Sequence, residues 1–287
     1  MRRFFLIVKL ILTKIYAFGL RIGRFQCELG ILVNGVEGLF LVAPDDMYVG
    51  RHLRKTGCYQ RKELSKLGQY ITEKSEILVV GAHIGSIGIP LAMKAKSAIF
   101  VEPNPSSFRL LQLNVLLNDL KNVRLHNCAV GASEKKIFML DSKLNSGGSK
   151  RLPNTPRYEY TFDNPAVIEV PQVRLDTLVS DRIEFDLAVI DIEGSETSAF
   201  RGMSGIFNKI RCLVVEFNPE HIRFVAGESV ESSFGQVLEY FDQMEAPLAG
   251  EFVVGRVSIL TALEKFVARK HCEDGLIFSK STVIEKS

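Results

Sequence analysis

Two apolar runs in this chain end in groups that could move a proton. "FDLAVIDIEGSE" carries Asp191 and Glu193 at and just past the end of its run. "LVVEFNPEH" carries Glu216 at the end of its own, with His221 five residues on. A carboxylate or an imidazole within reach of a hydroxyl can take its proton as the oxygen attacks. On this reading Asp191 contacts a ligand's ammonium or the acceptor, and His221 is the base. Asp191, Glu216 and His221 are thus the candidate catalytic residues, and no resident metal is assigned. An alternative has Glu193 and Glu216 hold a divalent ion that lowers the hydroxyl's pKa. Glu193 and Glu196 also have a plainer role, as acids beside a helix N-terminus. Asp191 and Glu193 are two apart, so they face the same way only if the strand continues that far.

A second group of residues points to what binds beside them. In "ILVVGAHIGSIG" an apolar run meets the turn Gly81, Ala82, His83, Ile84, Gly85. Glycine after a buried strand lets backbone approach where a Cβ would collide. Glu102 ends the next apolar run about 20 residues on, where a carboxylate accepts hydrogen bonds from both hydroxyls of a ribose. The G-x-G-x-x-G spacing that seats a pyrophosphate is absent, and no G-K-[ST] follows the glycines. The pattern therefore favours an adenosine without phosphates over a nicotinamide dinucleotide. S-Adenosylmethionine is such a ligand and is the expected cofactor. Gly81, Ala82, His83, Gly85, Glu102, Asn104 and Asp191 are its expected contacts, with Ala129 and Val130 flanking the adenine.

These residues need elements to position them. "EILVVGA", "SAIFVEPNP", "NVRLHNCAVG", "EFDLAVIDIEG" and "KIRCLVVEFNP" are short continuous apolar runs, as strands buried on both faces of a parallel sheet should be. "SSFRLLQLNVLLNDL" and "SSFGQVLEYFDQM" read as helices, and "EFVVGRVSIL" with "DGLIFSK" as a closing pair of strands. Alternating strands and helices predict a doubly wound α/β fold. Ahead of them, residues 29–42 read as a hairpin and 48–71 as helical. Residues 141–165 form a long polar insertion, of the kind that often serves a site. Its Asn145, Ser146, Ser149, Lys150, Arg151, Tyr158 and Tyr160 would suit a glycan or another polyhydroxylated small-molecule acceptor.

A net charge of +3 over 287 residues makes no demand for a nucleic-acid partner. Five dispersed cysteines without a C-x-x-C pair argue against a disulfide framework or a structural zinc, and for a reducing, cytoplasmic setting. The first acid is Glu28, and before it basic and apolar residues separate imperfectly onto two helical faces. Lys9 and Lys14 interrupt any signal-peptide core or spanning helix. A helix lying at the inner face of a membrane through residues 2–24 and a helix packed on the protein body both fit, and amphipathicity does not separate them. The expected organisation is this helix and the hairpin over 1–44, then one domain over 45–287.

"VVGAHIG", "FVEPNP", "NCAVG", "FDLAVIDIEGSE" and "LVVEFNPEH", flanked by "LRKTGCYQRKEL" and "GLIFSK", resemble the successive motifs of the FkbM-type methyltransferases from about Asp45 to about Lys280. "DIEGSE" is the most specific of them. The resemblance implies a seven-stranded, mostly parallel sheet with an antiparallel last strand, S-adenosylmethionine as donor, and O-methylation of a sugar hydroxyl or small metabolite. The chain departs from the family at two positions. Val79 stands where an aspartate usually helps hold the cofactor's ammonium, and His83 stands where asparagine is usual. The first departure makes a catalytically silent adenosine- or glycan-binding module of the same fold the alternative.

Overall fold

The computed structural model describes residues 29–181 and 184–281, so the basic N-terminal segment lies outside the described residues. No helix among the described residues is long and apolar enough to cross a membrane.

The predicted hairpin forms as β1 (Ile31–Gly35) and β2 (Gly38–Val42). It packs on the helix Pro105–Leu117, where Asn114 and Asn118 pair with the backbone of Leu41 and Leu39. The helical stretch after it breaks into two helices, Val49–Thr56 and Arg61–Leu67, because Gly57 adopts a left-handed φ of 71° and caps the first.

The central strands are β3 (Glu76–Val80), β4 (Ser97–Val101), β5 (Val123–His126), β10 (Phe185–Ile190) and β11 (Ile210–Phe217). They are mutually parallel in the order β5-β4-β3-β10-β11. Strand side chains alternate between faces, and here both faces are buried. Leu78, Val80, Ile99, Ile190 and Val215 enter one core cluster. Ile77, Val79, Phe100, Val189 and Val214 enter the other. That is why these runs show no polar alternation in sequence.

Beyond β11 come β14 (Glu273–Ser279), β12 (Gln243–Ala246) and β13 (Glu251–Val254). β14 is antiparallel to both of its neighbours. The sheet therefore has eight strands rather than seven, with β13 added at the edge. The predicted closing pair is corrected as well. "EFVV" pairs with β12 rather than with β14, and "RVSIL" opens the helix Arg256–Arg269. Ile259, Ala262, Leu263 and Phe266 are buried there at helical spacing. The predicted helix at "SSFGQVLEYFDQM" shortens to Val230–Phe234, and its last residues join β12.

A small sheet, not predicted from the sequence, packs beside the first. It has the order β6-β9-β7-β8, with β6 (Ala129–Val130), β7 (Lys135–Asp141), β8 (Lys150–Arg151) and β9 (Ala166–Val173). The predicted third strand thus ends at His126, and Ala129–Val130 pairs with β9 instead. The polar insertion hangs between β7 and β9. The described cysteines Cys58, Cys128, Cys212 and Cys272 are free thiols.

Candidate active site

The parallel register builds the site. Val101, Val80, Ile190 and Val215 lie side by side in one row across β4, β3, β10 and β11. The next residue of each strand is Glu102, Gly81, Asp191 and Glu216. All four share the face on which Val79, Val189 and Val214 lie. They line a cavity of about 270 Å³ at the carboxyl ends of the strands. Glu193 joins them although β10 stops at Ile190, because the loop turns through left-handed conformations at Glu193 (φ 55°) and Gly194 (φ 96°).

One end of the cavity is set by backbone amides. Glu102 Oε2 accepts from the His83 amide and Oε1 from the Asn104 amide, each at 2.8 Å. Burial raises the Glu102 pKa to about 7, with these two bonds opposing the rise. His83 takes a left-handed φ of 50°, a conformation that Asn and His tolerate better than most residues. The His83 ring is 2.7 Å from Ser146 Oγ, which in turn donates to Asp46, so the turn is tied to the insertion. Burial lowers the His83 pKa to about 4, against the pull of Asp46 and Glu193.

The glycine backbone packs closely against protein on its Cβ side. A Cβ on Gly81, whose φ is 86°, would lie 1.6 Å from the Asp191 carbonyl oxygen. One on Gly85 would meet Ile89 and Leu111 within 3 Å. Bare backbone here closes protein on protein, and Gly81 also lines the cavity. Asn104 caps the helix Pro105–Leu117 through Ser106 and donates to Asp141. Gly85, Asn104, Ala129 and Val130 are not among the residues that line the cavity.

The opposite end is crowded with acids. Asp191, Glu193 and Glu216 meet Glu63 and Tyr59, from the helix Arg61–Leu67 and the turn before it, and Asp274 from β14. Asp191 is exposed to solvent where it opens into the cavity, with protein packed around the rest of it. Burial, then Glu216 and Glu193, push its carboxyl well above the usual range. Burial and Glu193 do the same to Glu216, and a hydrogen bond from Asp191 partly offsets the rise. Two carboxyls so placed share a proton more readily than they both ionise. Glu63 rises to about 8, through burial and Asp274.

His221 stands outside the cavity lining, in a π-helical turn behind Glu193 and Glu216. Its Nε2 is 3.4 Å from Glu193 Oε2 and 3.3 Å from the buried Lys150 Nζ. Burial, then Lys150, depress its pKa. Glu196 plays its plainer role, accepting from the amides of Ile192 and Gly194 at the start of its helix. Of the insertion, Asn145, Ser146 and Ser149 line the cavity and Lys150 reaches Glu193 at 2.8 Å. Tyr160 stacks on Lys150, Arg151 lies at the partly buried edge of β8, and Tyr158 is 79% exposed.

The sequence reading missed Tyr59, Glu63, Asp274 and Asp46. Glu63 carried a faint signal, since it falls on the same helical face as Leu64 and Leu67, where an acid is out of place. Asp274 precedes an apolar strand like many solvated acids and carried none.

A doubly wound sheet with an antiparallel strand between β11 and β12, and a ligand cavity at its carboxyl edge, defines a class I methyltransferase. Residues 80–247 match the methyltransferase FkbM domain. The match covers more than half of the chain, and the protein belongs to this family of methyltransferases. Among solved structures it is similar to an FkbM methyltransferase from Methylobacillus flagellatus KT, at 15% identity over 72% of this chain and 44% of that one, with a TM-score of 0.40. It is also similar to a precorrin-6y C5,15-methyltransferase from Geobacter metallireducens GS-15, at 10% identity over 84% and 94% of the two chains, TM-score 0.43. A TehB-like SAM-dependent methyltransferase from Corynebacterium glutamicum ATCC 13032 gives 12%, 80%, 94% and 0.41. With TM-scores below 0.5, these likenesses add nothing to the reading of the site. The chain spans about half the length of several structures that it matches. No curated protein matches it.

Proposed function

We propose that this chain is an S-adenosylmethionine-dependent O-methyltransferase acting on a sugar hydroxyl or a small polyhydroxylated metabolite. One observation carries the reading. The cavity is lined by Glu63, Glu102, Asp191, Glu193, Glu216 and Asp274, and among the described residues by neither lysine nor arginine. Such walls repel a phosphate and suit a ligand that brings a sulfonium and an ammonium without one. When bound, S-adenosylmethionine supplies an activated methyl group with its own leaving group.

The protein's part is alignment and proton removal. Glu102 keeps lone pairs free for the ribose hydroxyls after accepting its two amides. Asp191 and Glu216 face the cavity as a pair, and the ionised member takes the acceptor's proton. They, rather than His221, are placed to meet a hydroxyl. Asn145, Ser146 and Ser149 offer hydrogen bonds over that end, as a polyol needs.

Calorimetric titration with S-adenosylhomocysteine tests the adenosine end. The expected result is measurable binding that Glu102→Ala weakens more than tenfold. Unchanged affinity in the variant would remove the argument for a ribose contact. Val79, 3% exposed in the cavity wall, favours a second reading, because it supplies no charge where the family has aspartate. On that reading the chain is a silent binding module of the same fold. Retained glycan binding without any affinity for S-adenosylhomocysteine would select it.

A further inference from the structure

At one wall of the cavity, two side chains that line it and one behind them converge from three segments. Glu193 comes from the loop after β10, Glu216 from β11 and His221 from the π-helical turn. One potential ligand atom from each lies within 4.8 Å of the other two. Glu193 Oε2 is 3.4 Å from His221 Nε2, and Glu216 Oε2 is 3.7 Å from His221 Nδ1. These contacts are to different ring nitrogens, of which an ion takes one, and Nδ1, which has no hydrogen bond, is the free one. The loop and the turn cannot separate easily, since a Cβ on Gly194 would strike Val225 and His221 at 2.6–3.0 Å.

Two observations point to a missing partner. His221 is only 7% exposed, and its buried Nδ1, aimed toward Glu216, makes no hydrogen bond. A buried polar atom left so is costly. The second observation is Lys150, whose buried ammonium sits 2.8 Å from Glu193 and 3.3 Å from His221, over the Tyr160 ring. The pocket thus already attracts a cation, and the lysine reaches only part of it, leaving Nδ1 without a partner.

We propose that Glu193, Glu216 and His221 form a binding site for one divalent first-row transition-metal ion, in competition with the ammonium of Lys150. One imidazole and two carboxylates suit manganese or zinc better than magnesium or calcium, which prefer oxygen alone. Three protein ligands leave positions open toward the cavity. Lys150 swings out of the cluster when the ion enters, and its stem, held in β8, allows that without unfolding the strand. The site shares Glu216 with the proposed proton-accepting pair, and its test reads metal binding rather than methyl transfer.

Manganese(II) titrated into the full chain, followed by electron paramagnetic resonance, tests this. The wild type takes up one ion per chain, and pulsed spectra show coupling to a single ¹⁴N nucleus. His221→Ala and Glu193→Gln each weaken binding at least tenfold, and His221→Ala abolishes the nitrogen coupling. Lys150→Met tightens binding at least tenfold, because the competing charge is gone. Circular dichroism and thermal melting confirm that each variant is folded. Should Lys150→Met fail to fold, Lys150→Gln gives the same test with a polar partner retained for Glu193. Uptake undetectable in both wild type and the lysine variant overturns the proposal. So does uptake that survives His221→Ala with unchanged affinity and spectrum.

Discussion

The two ends of the cavity hold their acids in opposite ways. At the Glu102 end one carboxylate is buried, and two backbone amides meet it at 2.8 Å. At the Asp191 end, carboxyls from β10, β11, β14 and the helix Arg61–Leu67 face one another across the cavity, and Lys150 is the buried cation beside them, held at Glu193. The first end is complete in itself and needs only a neutral partner with hydroxyls. The second carries unbalanced like charge, which a folded protein tolerates where a positive ligand or a proton is to be received. A single fold thus offers a satisfied cradle and, one strand away, an electrostatically unfinished site.

Three perturbations break or sharpen that contrast. The largest effect is expected from Gly81→Ala, because Gly81 is the hinge between the ends. Its Cβ would be driven into the Asp191 carbonyl from a left-handed backbone, a conflict of the class that costs about 4 kcal/mol or more. A fall in melting temperature of about 10 °C or more, with loss of S-adenosylhomocysteine binding, is expected. Wild-type melting would show that the ends are not locked together there.

Next comes Glu216→Gln, which removes the carboxylate that accepts from Asp191 at the unfinished end and leaves the cradle alone. Radiolabelled methyl transfer from S-adenosylmethionine to a panel of sugars should slow by about 10²–10⁴-fold, as for loss of a general base. An unaltered rate would place proton removal elsewhere.

The smallest effect concerns Glu63→Gln and is read as stability against pH. The folded-state pKa of about 8 lies above the ordinary 4.5, so the folded protein keeps a proton that the unfolded chain releases. Glu63 therefore costs stability progressively as pH rises from about 4.5 to about 8. The variant should melt like wild type near pH 4 and several degrees higher near pH 8. Parallel melting curves at both pH values would mean that Glu63 is not held away from water.

The runs "EILVV", "SAIFV", "FDLAVI" and "IRCLVVEF" showed themselves as strands because burial on both faces erases polar alternation. The glycine turn and Glu102 were legible because each directly follows an apolar run, where a buried strand has to end. "RVSIL" was misread because five apolar-rich residues look alike in a strand and in the first turns of a helix. β7, with Ile137 and Met139 inside and Lys136 and Phe138 outside, had the right alternation but too few residues to declare a second sheet. Asp274 and Asp46 lie far in sequence from the motifs that they join, and no local pattern marks such partners.

The sequence alone determined the alternation of strands and helices and which residues end each strand, since burial and backbone geometry act within a few neighbours. Only the tertiary structure decided that Glu102, Gly81, Asp191 and Glu216 stand in one row, that Glu63 and Asp274 face the same cavity, and that Lys150 reaches Glu193 beside His221. Those placements follow from strand register and from the docking of distant segments. The interactions that fix them fall off within a few ångströms in space, whatever the separation along the chain.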